Sequence, residues 1–344
     1  MAVLASQAMT WADLVTKLGP DGKSIGTVAE VLNEHNVIMR DGAFITCNSG
    51  LEHKTLVRAG LPSVAWSTIG GYTTPSKSAT RAQKFVTGFA RSVSQVPQDI
   101  LDLSADEAAV RLSEADPHLE ALAQEMEYAF FNGNTSTNPE MFDGLAAYYN
   151  ALPVAANNAS NQVVAGGGVG SDNTSIGLVR HGANATGIIV PEGIPMGIQR
   201  EDHGQQRDTD GSGGIRYVQE EEFKLHAGVM IKDYRANARI ANIDVSNAVA
   251  GSVNLFELMV TAWHRARMPK HNYEVTNPAA TGAKACWYMN TTMYESLDKQ
   301  NRNATLHPAL QLTYREIAGE EVTMFRGLPI RVTDGITNTE AALS

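Results

Sequence analysis

Apolar positions recur along this chain with two different periods. Leu119, Leu122, Met126 and Phe130 fall at helical spacing on one face, opposite Glu120, Gln124, Glu125 and Glu127. That spacing predicts an amphipathic helix ending at Gly133. Two start signals precede it: Ser104 with Glu107 three residues on reads as a capping box, and Asp116-Pro117 as a second N-cap with proline at the first helical position. Further along, Phe223, Leu225, Ala227, Val229 and Ile231 alternate with Lys224, His226, Gly228 and Met230, the period of a half-buried strand. Shorter strands are predicted at 175–179, 187–190, 284–290, 321–326 and 330–333, the last two joined by a turn at Gly327-Leu328-Pro329. Asn254 with Glu257 caps a helix whose Leu255, Leu258, Met259 and Ala262 face inward, and Thr292 with Glu295 caps another. Helices are also predicted over 10–18 and 24–33.

Between these elements the pattern weakens. Residues 46–98 are rich in β-branched and aromatic side chains but broken by Leu61-Pro62, Gly70-Gly71 and Thr74-Pro75. They predict a long hairpin with too little alternation to bury a face of its own. Residues 133–140 and 153–173 read as loop and link, and 201–214 as a polar, glycine-rich loop. The chain therefore divides into 1–45, a hairpin block 46–98, a helical block 99–152, a β-rich block 153–250 and a mixed α/β block 251–344.

Charge changes the picture most at the second and third of these. Lys54, Arg58, Lys77, Arg81, Lys84 and Arg91 lie between His53 and Gln98 with no Asp or Glu among them. From Asp99 to Glu127 the chain then carries nine acids, Glu114, Glu120, Glu125 and Glu127 included, against the single base Arg111. A hairpin too thin to stand alone needs a surface to lie on. The complementary charge points to the acidic helix of a neighbouring copy.

Composition and motifs narrow the function classes. With 344 residues, 43% of them hydrophobic, the chain can bury one large core or two modest ones. A net charge of −10 argues against bulk nucleic-acid binding. Cys47 and Cys286 are far apart, as expected in a reducing compartment without a disulfide framework. No secretory leader pattern and no apolar run of about 18 residues is visible. Gly22-Lys23-Ser24 lacks the phosphate-loop glycine, since Lys17 stands there, and Gly166–Gly170 fails the dinucleotide fingerprint at Asn173. The nine histidines form no metal motif, and no serine elbow exists. The residues thus assign no catalytic, cofactor-binding or metal site.

An ordered series of short stretches nonetheless resembles the major capsid proteins of tailed phages, particularly the short-tailed, podovirus-type family. It runs through Leu61-Pro62-Ser63-Val64-Ala65-Trp66, Phe130-Phe131-Asn132-Gly133-Asn134 and Phe142-Asp143-Gly144-Leu145, then Gly187-Ile188-Ile189-Val190-Pro191 and Gly228-Val229-Met230-Ile231-Lys232-Asp233-Tyr234-Arg235, to Gly327-Leu328-Pro329-Ile330-Arg331. The resemblance covers residue 46 to the end. It implies an α+β fold of the Hong Kong 97 capsid type: an N-terminal arm (1–45), an extended hairpin or E-loop (46–98), a peripheral domain with a long spine helix, and an axial domain. The β-rich block preceding the helix–strand block implies a permuted segment order. The implied function is a structural, non-enzymatic protein that assembles with itself into hexamers, pentamers and an icosahedral shell around double-stranded DNA. The implied setting is the virion, assembled in the host bacterial cytoplasm. Implied partners are a portal, a separate scaffolding protein and a cement protein; no membrane is involved. The alternatives are a cargo-enclosing nanocompartment of the same fold and a cytosolic enzyme with a dispersed site.

Overall fold

The computed structural model describes residues 37–104, 106–153, 159–209, 213–266, 284–302, 312–317 and 320–343, without the side chains of 57–59, 315–317 and 320–321. The helices expected at 10–18 and 24–33 lie outside the described residues, as does most of the block 1–45. In chain order the elements are α1 (Val37–Asp41), β1 (Phe44–Thr46), β2 (Glu52–Gly60), β3 (Ala79–Val86), β4 (Gly88–Pro97), α2 (Gln98–Leu103), α3 (Glu107–Asn132) and α4 (Leu145–Tyr148). There follow β5 (Val163–Ala165), β6 (Asn173–His181), β7 (Thr186–Val190), β8 (Ile198–Thr209), β9 (Ile215–Ile231), β10 (Ala238–Asp244), α5 (Val245–Val249) and α6 (Leu255–Arg265). The last are β11 (Lys284–Met289), α7 (Thr291–Arg302), β12 (Leu312–Ile317), β13 (Glu320–Phe325) and β14 (Leu328–Val332).

Twelve strands form one mixed sheet with the path β12-β13-β14-β11-β6-β7-β9-β4; β1, β5, β8 and β10 attach at its side. Its central strands are buried on both faces, with apolar runs in β7 and β11 and buried polar residues such as Asn173, Thr174 and His181 admitted in β6. Ile176 and Leu178 of β6, Ala285, Trp287 and Met289 of β11 and Ile240 of β10 join one core with α6 and α7. Val179, Cys286, Tyr288 and Ala241 join the other, against Phe130 and Phe131 of α3. Phe131 meets the Tyr288 ring at 5.6 Å. The buried His181 imidazole bonds the Tyr288 hydroxyl at 2.8 Å, and burial lowers its pKa to about 4. α1 and β1 belong to this second core: Ile38 is fully buried, and β1 pairs in parallel with β7.

The predicted spine helix forms as one element, starting a little after Ser104. Asp106 is the N-cap, accepting from the Ala109 amide at 3.1 Å, and α3 continues for 26 residues through Pro117. Ser104 instead closes α2, its hydroxyl donating to the Leu101 carbonyl. An internal proline costs about 3 kcal/mol. The continuous stripe from Val110 and Ala115 through Leu122, Met126 and Phe130 outweighs that cost, while Pro117 faces solvent. At Gly133 the helix stops as expected, and the chain doubles back so tightly that a Cβ there would collide with the carbonyls of Ala129 and Phe142.

Three further departures have local causes. Residues 201–214, read as a loop, lie largely in β8, which pairs with the 17-residue β9. Neither face of the outer hairpin is fully buried, so apolar alternation is replaced by cross-strand charge: Lys224 to Glu201 at 2.7 Å and Arg216 to Asp208 at 2.6 Å. The α7 cap is Asn290, accepting from the Met293 amide at 2.9 Å, rather than Thr292. The turn before β14 is Arg326-Gly327, both with positive φ (51° and 77°), one residue earlier than predicted. The cap at Asn254 is as predicted.

Glu127 was expected on the exposed acidic face and is instead buried at 7% exposure. Its carboxylate accepts the Thr333 hydroxyl, and Asn132 nearby donates to the Gly335 carbonyl at 2.5 Å. The segment after β14 is thereby strapped to α3. Burial raises the Glu127 pKa, and the charges of Asp334 and Glu120 raise it further. The folded chain therefore holds a proton that the unfolded chain has released, so stability falls as pH rises above the ordinary glutamate range.

Two outcomes follow from this packing. Glu127→Gln keeps an acceptor for Thr333 and removes the charge. Thermal melts should place the variant a few degrees above the wild type at about pH 8 and together with it at about pH 4; coincident melts at both values contradict the burial argument. Trp287→Ala should lower unfolding free energy by about 3–5 kcal/mol in denaturant titrations. A loss below about 1 kcal/mol would show that the core around α6 and α7 does not depend on this ring.

Candidate functional site

β2 and β3 pair only with each other, from Glu52↔Val86 to Gly60↔Ala79. At their base Phe85 is buried and meets the Tyr148 ring at 6.0 Å. Beyond Gly60 the chain runs through residues 61–78 without a strand, its two sides joined where the Ser76 hydroxyl donates to the Ser63 carbonyl at 2.9 Å. Val64, Trp66, Ile69 and Tyr72 all stand more than nine-tenths exposed there. A two-stranded hairpin is marginal in water, and clustered exposed apolar side chains mark an interaction surface.

The bases assigned to this block separate into two groups. Lys54, Arg58, Arg81 and Lys84 lie on β2 and β3, and Lys77 on the segment between them. Lys54 and Lys84 both approach Glu52, at 3.7 and 3.6 Å. Lys77 and Arg81 are exposed and make no ion pair among the described residues. The side chain of Arg58 lies outside the described ones. Arg91 stands apart from both groups. It sits on β4, which pairs along its length with β9, and its guanidinium is 3.9 Å from Glu222 of the same chain. The stretch 46–98 is thus a free hairpin over 52–86 followed by a strand of the body.

Of the acids on α3, Glu125 is exposed, Glu114 and Glu120 are half-buried, and Glu127 leaves the acidic face. Arg111 turns inward, 2.6 Å from Asp202 and 2.5 Å from Glu221, and Arg200 shares Glu221 at 2.7 Å. Beside Glu125, sequence reading missed a shallow groove of about 60 Å³ between α3, β4, β9 and the loop at 140–142. Met126, Ala129 and Phe142 line it, and Glu125 and Glu140 stand at its rim. Its walls come from four separate stretches, so no local motif could announce it. The acid of Glu127, three residues before Phe130, did carry a signal: it borders the buried stripe.

Other polar clusters are committed to the fold. Asp41 closes α1 with its side chain wholly buried; it accepts from the Lys284 ammonium of β11 and, at 2.8 Å, from the Arg331 guanidinium of β14. Burial alone would raise its pKa, but the two cations overcome that and hold it below the ordinary carboxylate range. The Cys286 thiol lies 3.7 Å away, its own pKa pushed up to about 12 by burial. Glu201, His203 and Glu222 lie within metal-ligand reach of one another, but the Lys224 ammonium, 2.7 Å from Glu201 and 2.9 Å from Glu222, already occupies a cation's place. Among the described residues no helix is long and apolar enough to cross a membrane.

Comparison with known proteins places these features. The family model for major capsid protein GP7 matches residues 19–344. A chain in the cryo-EM structure of bacteriophage Epsilon15 superposes with a TM-score of 0.76 at 27% identity, covering 100% of this chain and 99% of that one. The capsid of bacteriophage JBD30 gives 0.49 at 9% identity, over 89% and 93% of the two chains. The SrpI encapsulin of Synechococcus elongatus gives 0.43 at 12%, over 69% and 96%. No curated protein sequence matches the chain. The family match selects a phage capsid subunit of the Hong Kong 97 type over a cargo compartment and over an enzyme with a dispersed site. A hairpin that pairs with no other described strand and exposes Trp66, Ile69 and Tyr72 suits a shell component, and this chain belongs to the major capsid protein GP7 family.

Proposed function

We propose that this structural subunit builds hexamers and pentamers of an icosahedral phage head by laying its β2–β3 hairpin on the acidic surface of the next copy. One observation carries the reading: Trp66, Ile69 and Tyr72 are fully exposed on a hairpin whose strands pair with no other strand among the described residues. At about 25 cal/mol per Å², that surface favours association strongly once a partner covers it. The charges add direction. Lys54, Lys77, Arg81 and Lys84 approach a surface carrying Glu114, Glu120 and Glu125, steering one orientation of encounter and opposing its reverse. The side chain of Arg58 belongs to the same basic set. A contact of this kind is heterologous, and repeated with the right rotation it closes a ring.

The net charge of −10 supports a wall that encloses double-stranded DNA without holding it. On this reading the shell meets a portal at one vertex, forms around a separate scaffolding protein in the host bacterial cytoplasm, and offers its outer face to a cement or decoration protein.

Light scattering with electron microscopy on the expressed chain tests this. The wild type should yield large closed particles; a monomer or small oligomer under all conditions sinks the shell reading. Arg81→Glu with Lys84→Glu should leave small oligomers of normal fold, and Glu120→Lys with Glu125→Lys should restore particles in part. Normal shells from the first double variant refute the charge pairing.

A further inference from the structure

We propose that Asn132-Gly133 is a site of spontaneous deamidation, closed while the segment after β14 lies on α3. Once modified, it keeps that segment from closing again. This is the chain's single Asn-Gly pair. The reaction needs two freedoms: the Asn side chain must swing toward the following residue, and that residue's amide nitrogen must be free to attack. Glycine resists least, having no Cβ to block the approach. Both freedoms are withheld here. Asn132 is the last residue of α3, where a helical side chain points back toward the N-terminus and away from the next amide. Its carboxamide donates to the Gly335 carbonyl at 2.5 Å. Gly133 is buried, and its amide donates to the Ala129 carbonyl at 2.9 Å.

The lock comes from a distant part of the sequence. The Gly335 amide donates to the Thr333 hydroxyl at 3.1 Å, and that hydroxyl is held by Glu127 of α3. A Cβ at Gly335 would collide with the Glu127 main chain, so the segment lies directly on the helix. Farther on, the Thr174 hydroxyl donates to the Thr337 carbonyl, and Asn242 bonds both backbone groups of Leu343, each at 2.8 Å. A peripheral segment held this way opens locally at less cost than global unfolding. With the segment lifted and the last turn of α3 frayed, the Gly133 nitrogen attacks the Asn132 side-chain carbonyl carbon. A C–N bond forms, the ring closes as a succinimide, and the side-chain nitrogen leaves as ammonia, taking the Gly133 amide proton. Water then opens the ring at either carbonyl, giving aspartate or isoaspartate. Either product replaces a donor with a carboxylate facing the Gly335 carbonyl, next to a turn that already carries Asp334 and holds Glu127. Acceptor then opposes acceptor, and the new charge has no partner there. Isoaspartate also lengthens the main chain just before Gly133, whose carbonyl pairs with the Gly144 amide at 2.8 Å.

The test uses the full chain in mildly alkaline buffer, with conversion of Asn132 read by peptide mass spectrometry. Chain unfolded in urea gives the unprotected rate, and the folded chain should convert about 100-fold more slowly. Thr333→Ala removes the hydroxyl that joins Gly335 to Glu127. It should speed conversion of the folded chain about five-fold and leave the rate in urea unchanged. Asn132→Asp makes one product directly. It should open the amides of 336–343 to hydrogen exchange while those of β6 and β11 stay protected. Equal rates in folded and unfolded chain, or a folded Thr333→Ala rate equal to that of the wild type, overturn the lock. Wild-type exchange protection in Asn132→Asp overturns the block on closure.

Discussion

A strand buried on both faces must place an apolar side chain at nearly every position and pair each backbone group with a neighbour. β7 and β11 meet that demand, while β6 and β10 also bury polar side chains such as Asn173, Thr174, His181 and Arg239. Successive residues of β11 (Ala285, Cys286, Trp287, Tyr288 and Met289) are all fully buried, pointing alternately to α6 and α7 and to the end of α3. Some of the polar groups admitted are matched by hydrogen bonds. Asn237 accepts from the Arg180 amide at 3.0 Å and donates to the Thr186 hydroxyl at 2.6 Å. Every element that cannot share this double burial is held by something else. The outer β8–β9 hairpin relies on crossed charges, and the segment after β14 on hydrogen bonds to α3. The β2–β3 hairpin has only its base.

Parts of the subunit whose stability is local were legible in the sequence. The cap at Asn254, the alternation of β9 from Phe223 to Ala227, and the stop at Gly133 each depend on residues a few positions apart and stand where the spacing put them, whereas Gly228 and Met230 are buried with the rest of the strand's end. Features decided by distant packing were not. Pro117 reads as a helix start until one knows that Ala115 and Leu122 are both buried along a single stripe reaching Phe223. Glu127 reads as solvated until Thr333 arrives, two hundred positions later. β8 reads as loop because its partner contributes charge where a buried strand would contribute apolar surface.

The same division explains the candidate site. Half of it, the basic and apolar hairpin, was visible as a run without acids and without a core. The other half, the groove, is made by side chains from β4, α3, the loop at 140–142 and β9, and exists only after the sheet and α3 have packed. The hairpin proposed for association is thus the part least stabilised within one chain.

The Asp41 cluster bears on the order of these events. One carboxylate joins three stretches of chain, its partners lying 243 and 290 positions away. Contacts of such long separation form only after the intervening loop entropy has been overcome, and domains rich in them fold slowly with unpaired edges showing on the way. The hairpin, by contrast, closes within 35 positions, from Glu52 to Val86. The local hairpin can therefore close before the body of the subunit is complete.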